Sequence, residues 1–245
     1  MKLKQALSTN LGYIGIGIFN VILFHYAIYR LWFFLYDSTG RQHSDSITLS
    51  LIVNTLLILF FSVPHSVLLM TKVKSKILEF VPQKLFGTIY SIHACVAIIL
   101  LDNFWFEIGT PNLIQSEWAK NFHIVGYVIS WLFMFYAMLS TGLFKQSGIE
   151  QWYQGLRKKR YMNSIPYHGA YEICRHPIYA AFLGMIWFTP NMNWGHLYLS
   201  VMWTVYIFIG MSLKEKRLMR NKGYRQYLDN TPALPFLPRV LDYYR

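Results

Sequence analysis

The stretch from residue 177 to residue 213 reads PIYAAFLGMIWFTPNMNWGHLYLSVMWTVYIFIGMSL and carries no Asp, Glu, Lys or Arg. One segment rich in proline and asparagine, Pro190–Gly195, interrupts this apolar run. We therefore predict a hairpin of two helices, Pro177–Thr189 and His196–Leu213, because proline cannot continue a helix. At 1.5 Å per residue the first helix is about 20 Å long, which is shorter than a hydrocarbon layer of about 30 Å.

Four longer apolar runs precede this hairpin. A membrane-spanning helix needs about 20 mostly apolar residues, and all four runs meet that length. They are Leu11–Tyr36, Ile47–Met70, Leu85–Phe106 and Phe122–Phe144. The sequence thus predicts an all-α polytopic integral membrane protein, a single membrane domain over residues 1–245 with six hydrophobic helices, the last two forming the hairpin.

The composition agrees with this fold class. Of the 245 residues, 54% are hydrophobic and only 14% are charged, whereas a soluble domain carries about 25% charged residues. The 18% of aromatic residues exclude a disordered chain. Two cysteines are too few for a disulfide framework or a zinc site, so we expect no metal centre.

Basic residues alternate with the apolar runs. Lys and Arg number 23 against 11 Asp and Glu, and they concentrate in the N-terminus, in 71–84, in 145–176 and beyond 213. The intervening loops are poor in positive charge, so the positive-inside rule places both termini and segments 145–176 and 214–245 in the cytoplasm. We expect a bacterial cytoplasmic membrane and a lipid bilayer as partner. Nucleic-acid binding is not expected, because the basic residues follow the topology and form no contiguous face. Oligomeric state cannot be read from these patterns.

A dense polar cluster, GAYEICRHPIY at Gly169–Tyr179, lies at the cytoplasmic mouth of the hairpin. Pro177 suits the first turn of a helix, whose N-terminus attracts anions, and Arg175 and His176 add donors just ahead of it. Glu215 returns to the same depth after the hairpin. We therefore expect Arg175, His176, Tyr179 and Glu215 to share a pocket that opens to the cytoplasm. The alternative is a basic anchor for anionic lipid headgroups.

Histidine also occurs within the second apolar run, in Pro64-His65-Ser66. A histidine inside a membrane span is a candidate functional residue, although it could instead bond a neighbouring helix. Asp102 and His196 fall near the outer face, and we interpret both as interface residues.

The residues after the hairpin predict two further features. Leu213–Leu228 combines basic residues with leucines and tyrosines, which favours a helix lying in the membrane interface. Pro232–Pro238 contains three prolines and cannot be helical, so it should lie extended.

The segment 169–238 resembles the membrane methyltransferases related to isoprenylcysteine carboxyl methyltransferase. Their pattern Gly-x-Tyr followed by Arg-His-Pro-x-Tyr matches Gly169, Tyr171, Arg175, His176, Pro177 and Tyr179. Their later Glu-Glu pair corresponds to Lys214-Glu215, and their Gly, Tyr and Tyr positions correspond to Gly223, Tyr224 and Tyr227. Lysine replaces the first glutamate of the pair, so a role of that position is in doubt.

Within this superfamily the chain is most similar to the NnrU-like branch with its methanethiol S-methyltransferases. The turn Thr189-Pro190-Asn191-Met192-Asn193-Trp194-Gly195-His196 resembles that branch's Thr-Pro-x-Met-x-x-Gly-His. Pro64-His65-Ser66 resembles its Gln-His-Ser. The resemblance implies S-adenosylmethionine as cofactor and a small thiol, methanethiol, as substrate.

The resemblance also implies roles for individual residues. Arg175 and His176, with the helix N-terminus, would hold the cofactor's carboxylate or ribose, and Glu215 would pair with Arg175 or with the cofactor's ammonium. His65 would take or steer the proton of the acceptor. Aromatic residues would complete the cofactor site, which the tail would cover: Tyr171, Tyr179, Tyr224 and Tyr227.

Three alternatives remain at this point. A lipid-like acceptor such as prenylcysteine needs a lateral gap between helices, whereas methanethiol needs only a small closed cavity. An NADPH-dependent sterol reductase would share the Arg-His-Pro-x-Tyr motif, but those relatives continue Tyr-x-Gly-Asp and this chain continues Tyr179-Ala180-Ala181-Phe182. A non-enzymatic protein similar to nurim or NnrU is the third alternative, and Lys214 is the feature that keeps it open.

Overall fold

The computed structural model describes residues 9–37, 40–109, 112–159, 167–220 and 222–235, and apart from an isolated β-bridge between Gln42 and Phe106 the secondary structure of these residues is helical. A short 3₁₀ helix spans Gln83–Leu85. The α-helices are α1 Asn10–Asp37, α2 Ile47–Val67, α3 Thr71–Phe80, α4 Phe86–Phe104, α5 Glu117–Thr141, α6 Ile149–Leu156, α7 Ala170–Ile173, α8 Pro177–Trp187, α9 Trp194–Leu218 and α10 Lys222–Asn230.

Five helical segments of the described chain are long and apolar enough to cross a membrane. They are α1, α2, Gln83–Phe104, α5 and α9. A shorter apolar helix, α8, has only 11 residues. The prediction of an all-α integral membrane protein is confirmed.

The distribution of side chains on α2 explains why this helix requires lipid. Its buried positions recur every four residues and are mostly polar, namely Ser50, Asn54, Ile58 and Ser62. Large apolar side chains such as Leu56, Phe60 and Val63 are exposed instead. A helix with small and polar residues inside and apolar residues outside is stable where hydrocarbon replaces water around it.

The chain divides into two compact units. Among the described residues, the first unit comprises 9–34, 40–108 and 144–159, and the second comprises 35–37, 109, 112–143, 167–220 and 222–235. In the first unit, α2 packs along α4. Tyr13 and Trp152 tie α1 to α6 by two reciprocal bonds of 2.9 Å, each from a side chain to the other residue's backbone carbonyl.

Asp102, which the sequence predicts at the membrane interface, lies in the first unit and is only 1% exposed because protein groups surround it. Its carboxylate pairs with Arg30 and, at 2.9 Å, with Nε of Arg41. Arg30 also donates to Asn103 and to the Tyr26 hydroxyl, both at 2.6 Å. An ionised group inside a helix bundle is stable only when it is paired, and Arg30 lies within α1 to provide that pair.

In the second unit, α5 packs closely against α8. Gly184 of α8 lies against Ser130 of α5, where a β-carbon would overlap the serine side chain. Small residues at such crossings allow helix backbones to approach each other within a membrane.

His196, which the sequence also predicts at the membrane interface, is buried within the second unit, where it is only 1% exposed. The end of α8 explains its position. The carbonyl of Ile186 accepts hydrogen bonds from His196 Nε2 at 2.9 Å and from Ser200 Oγ at 2.7 Å. The last carbonyls of a helix receive no hydrogen bond from an amide of the same helix. The side chains of His196 and Ser200, both on α9, provide the missing donors for the carbonyl of Ile186. Asn193 caps the start of α9 by accepting from the His196 amide.

The chain after α9 corrects the prediction of an interfacial helix. A single interfacial helix over Leu213–Leu228 does not form, since α9 continues to Leu218 and α10 begins at Lys222. Residues 231–235 are not helical, as the prolines require. The remainder of the predicted extended stretch, 236–238, lies outside the described residues, and so do the first eight residues of the chain.

Candidate functional site

Three side chains of the second unit form one buried polar cluster. Arg175 and His176 lie between α7 and α8, and Glu215 lies in the last turn of α9. Oε1 of Glu215 accepts hydrogen bonds from Nε of Arg175 and from Nε2 of His176, each at 2.9 Å. All three residues are at most 2% exposed. We refer to Arg175, His176 and Glu215 as the Arg-His-Glu cluster.

The turn that leads into the cluster depends on Gly169. Its φ of 63° lies in the left-handed region that favours glycine. The next amide, of Ala170, donates to Ser140 Oγ at 3.0 Å and starts α7. Pro177 then occupies the first turn of α8, where its missing N–H removes no helical bond. The motif residues therefore set the backbone that presents Arg175 and His176.

Backbone carbonyls of the tail supply the other acceptors for this region. The guanidinium of Arg175 donates to the carbonyl of Leu228 at 3.1 Å and to that of Thr231. The amides of Arg175 and His176 donate to the carbonyls of Pro232 at 2.9 Å and Ala233 at 3.2 Å. A buried arginine needs such acceptors to offset its lost hydration, so the tail is part of the cluster's stability.

Tyr179 and Lys214 extend the cluster as a stack. The Tyr179 ring lies 5.4 Å from the His176 ring at an interplanar angle of 20°. The ammonium of Lys214 lies 5.3 Å from the centre of the same tyrosine ring. The lysine that replaces the first glutamate of the motif therefore places a positive charge over Tyr179.

The other tyrosines of the motif lie in the same unit. The Tyr227 hydroxyl donates to the backbone carbonyl of Tyr171 at 2.5 Å. Tyr224 is 1% exposed, and its ring lies 5.8 Å from that of Tyr227. Burial raises the pKa of Tyr224 and that of Tyr227, so both phenols are neutral at physiological pH.

Two buried polar atoms of this region have no hydrogen-bond partner among the described residues. They are Nδ1 of His176 and the hydroxyl of Tyr224. Burial lowers the pKa of His176 to about 4, against the opposing hydrogen bond to Glu215. The neutral ring donates through Nε2 to Glu215, which leaves Nδ1 as an acceptor. Buried polar groups are normally paired, so these two atoms are suited to hold a polar ligand.

Cys174 adjoins the cluster but does not resemble a nucleophile. It is buried, and burial raises the pKa of its thiol to about 11. A thiol with that pKa is protonated at neutral pH and therefore unreactive.

His65 lies in the first unit, on α2, and thus outside the unit that holds the Arg-His-Glu cluster. Its ring is stacked on Phe61 at 5.0 Å and lies 4.6 Å from the ring of Tyr90. The Tyr90 hydroxyl donates to the His65 carbonyl at 3.1 Å. The imidazole lines a cavity of about 100 Å³ within the first unit.

Sequence reasoning missed part of this arrangement. It did not identify the carbonyls of Leu228 and Thr231 as partners of Arg175, because every residue has a carbonyl and no side-chain pattern distinguishes these. The sequence did offer a signal for the position of Lys214 over Tyr179, because this lysine stands directly before Glu215 in the motif. Among the described residues no group of three or more His, Cys, Asp or Glu side chains could hold a metal ion.

A membrane-embedded helical protein with a buried Arg-His-Glu cluster, next to the N-terminus of a short apolar helix, has the features expected of the membrane methyltransferases. No protein-family model matches the chain. No solved structure matches it either.

Curated relatives define the family. A methanethiol S-methyltransferase from a Pseudomonas species is 31% identical over 73% of this chain and 70% of its own length. The Mycobacterium tuberculosis protein of the same name is 30% identical over 73% of this chain and 75% of its own length. Nurim from Danio rerio is 26% identical over 67% of this chain and 63% of its own. The chain belongs to the methanethiol S-methyltransferase family, and the prediction of an S-methyltransferase is confirmed.

Proposed function

We propose that this protein transfers a methyl group from S-adenosylmethionine to methanethiol and releases dimethyl sulfide. The observation that carries the proposal is membership of a family whose curated members are named methanethiol S-methyltransferases. The buried Arg-His-Glu cluster supports it, because its residues suit the polar groups of that methyl donor.

The second unit offers a partner for each polar group of S-adenosylmethionine. The N-terminus of α8 suits the carboxylate, because a helix N-terminus attracts anions. The positive charges of Arg175 and Lys214 add to this attraction. The ammonium suits Glu215. Nδ1 of His176 and the Tyr224 hydroxyl, which lack partners among the described residues, suit the ribose hydroxyls or the adenine amino group.

Aromatic side chains suit the adenosyl part of the donor. Tyr179 stacks on His176 and carries the positive charge of Lys214 on its ring, so its position is fixed. Tyr171 and Tyr227 are joined by a hydrogen bond and lie on the tail side of the cluster. We propose that the tail, through Tyr224 and Tyr227, covers the bound cofactor.

When bound, S-adenosylmethionine supplies a sulfonium methyl, whose carbon bonds to the acceptor sulfur as the sulfonium C–S bond breaks and its electron pair stays on the donor sulfur. Because the positive sulfonium and the negative thiolate neutralise each other, a dry protein interior favours this reaction. The protein must hold the reactants in line and remove the thiol proton. We propose that His65 takes or steers that proton.

A specific topology accompanies this function. We propose six hydrophobic segments, with α8 and α9 forming a hairpin that enters and leaves on the cytoplasmic side. Residues 145–176 and 214–245 and both termini would then be cytoplasmic, in a bacterial cytoplasmic membrane. The concentration of Lys and Arg in these segments supports the orientation.

The decisive experiment uses purified protein, methanethiol and S-adenosylmethionine labelled in the transferred methyl. We expect labelled dimethyl sulfide by mass spectrometry, with a loss of cofactor affinity in Arg175→Ala and Glu215→Gln. Unchanged rates and unchanged cofactor affinity in both variants would refute the assignment of the cluster. A prenylcysteine substrate assayed in parallel tests the lipid-like acceptor, and methylation of that substrate alone would replace methanethiol in the proposal.

A further inference from the structure

A small, partly open cavity lies in the first unit, between α1, α2, α4 and Gln146. Its volume is about 100 Å³. Its walls include Phe24 and Leu31 of α1, His65 of α2, and Tyr90, Cys95 and Ile98 of α4. The Arg-His-Glu cluster contributes nothing to it, so its occupant must be identified from its own lining.

The size of the cavity limits what it can hold. A dry engineered cavity of roughly 150 Å³ lined by apolar side chains binds benzene. A space of about 100 Å³ therefore suits a molecule of a few non-hydrogen atoms, smaller than benzene. A prenyl chain is far too large for this volume.

The chemistry of the lining limits the occupant further. The lining contains no Asp, Glu, Lys or Arg, so a charged guest would lose its hydration without gaining a counter-ion. The polar residues of the lining are Gln146, Tyr90, His65 and the pair Ser91 and Cys95, whose side chains contact each other at 4.0 Å. Nδ1 of His65 is buried and has no partner among the described residues. In the tautomer with hydrogen on Nε2 it accepts a hydrogen bond, which suits a weak donor such as a thiol.

We propose that this cavity is the binding site of the small thiol acceptor, and that Ile98, Leu31 and Ala94 restrict the acceptor to the shortest thiols. The proposal rests on the methyl-transfer function proposed above and assigns its acceptor site. His65 accepts the S–H hydrogen bond of the bound thiol, and the apolar walls contact its alkyl group.

A change in cavity size tests this assignment through substrate preference. Ile98→Ala removes three carbons from the wall and should raise kcat/KM for propanethiol relative to methanethiol by about tenfold or more, since each fitted methylene is worth roughly 10- to 200-fold. Ile58→Ala is the matched control, because Ile58 is buried in the same unit on α2 but does not line the cavity. The ratio of kcat/KM for propanethiol to kcat/KM for methanethiol does not depend on the fraction of each variant that folds. Equal ratios in the two variants would overturn the proposal.

A binding measurement separates this inference from the proposed function. Saturation-transfer NMR follows dimethyl sulfide, used as an unreactive probe, with wild-type protein and with Ala94→Leu in identical detergent. We expect the transfer signal to fall to the micelle background when leucine fills the cavity. Loss of signal in a protein that methylates no thiol would support the cavity and refute the function. An unaltered signal in an active enzyme would refute the cavity and leave the function standing.

Discussion

Among the described residues, each unit contains one buried carboxylate held by two basic side chains, and the two carboxylates differ in their surroundings. Asp102 in the first unit pairs with Arg30 and with Arg41, whose side chain is 50% exposed. Glu215 in the second unit pairs with Arg175 and His176, whose side chains are fully buried. The first arrangement reaches the solvent, and the second is closed within the protein.

A buried ion pair therefore does not by itself mark a functional site. What distinguishes Glu215 is its neighbours, which include a helix N-terminus, a neutral histidine with a free acceptor nitrogen, and a phenol without a partner among the described residues. Asp102 instead joins α1, α4 and the segment between α1 and α2, as a structural link does. Three experiments can test this difference.

The largest effect is expected from removing each carboxylate charge. Glu215→Gln leaves Arg175 buried without its counter-ion and should lower the free energy of unfolding by about 3–5 kcal/mol. Asp102→Asn should cost less, because Arg41 can turn into solvent and Arg30 keeps Asn103 and the Tyr26 hydroxyl as acceptors. Adding S-adenosylmethionine distinguishes a loss of cofactor binding from a loss of stability alone. At a hundred times its Kd the cofactor stabilises a binding-competent protein by about 2.7 kcal/mol.

Thermal unfolding in detergent, with and without the cofactor, measures both effects. Asp102→Asn should keep the cofactor-dependent rise in Tm, and Glu215→Gln should lose it. If Glu215→Gln keeps the full rise, the two carboxylates have the same structural role.

The second prediction concerns pH and the histidine beside Glu215. Burial lowers the pKa of His176 from 6.5 to about 4 in the folded protein, so the unfolded chain binds a proton first as the pH falls. Its contribution to stability is complete above pH 6.5 and is lost between pH 6.5 and pH 4, by about 3 kcal/mol in total.

Chemical unfolding at a series of pH values, compared between wild type and His176→Gln, isolates this contribution. The difference in unfolding free energy between the two proteins should shrink as the pH falls from 6.5 to 4. A constant difference would contradict a neutral buried His176.

The smallest effects are expected from removing one tyrosine hydroxyl, either beside the Arg-His-Glu cluster or beside the Arg30–Asp102 ion pair. Tyr224→Phe removes a hydroxyl with no partner among the described residues, so stability should hold while cofactor affinity falls about fivefold, equivalent to one hydrogen bond of about 1 kcal/mol. Tyr26→Phe removes the hydroxyl to which Arg30 donates, so it should lower stability by about 1 kcal/mol and leave affinity unchanged. Calorimetric titration measures the cofactor affinity, and thermal unfolding measures the stability. A loss of affinity in Tyr26→Phe with a loss of stability in Tyr224→Phe would contradict the roles assigned to the two regions.

Much of the helical architecture could be predicted from the sequence, because the length of an apolar run is set by the thickness of the bilayer. The predicted starts at Ile47 and Pro177 agree with α2 and α8. The basic loop after α2 was not predicted to contain α3, since its ten residues, Thr71–Phe80, show no long apolar run.

Part of the candidate site could also be predicted from the sequence, for a similar reason. Arg175, His176 and Glu215 stood out as charged or polar residues at the ends of apolar segments, and the structure brings them into contact. The burial of Asp102 could not be foreseen, because a carboxylate near a helix end can turn towards headgroups or towards another helix. That choice depends on Arg30, which lies a long way from Asp102 in sequence.

The carbonyl groups of the tail have a consequence for how the protein is made. A ribosome completes Glu215 before it reaches Leu228 and Thr231, whose carbonyls accept from Arg175. A chain truncated after Leu218 would therefore keep the counter-ion of the guanidinium but lack these acceptors. Such a chain should be less stable than the full-length protein, because part of the charge of Arg175 would be buried without a partner.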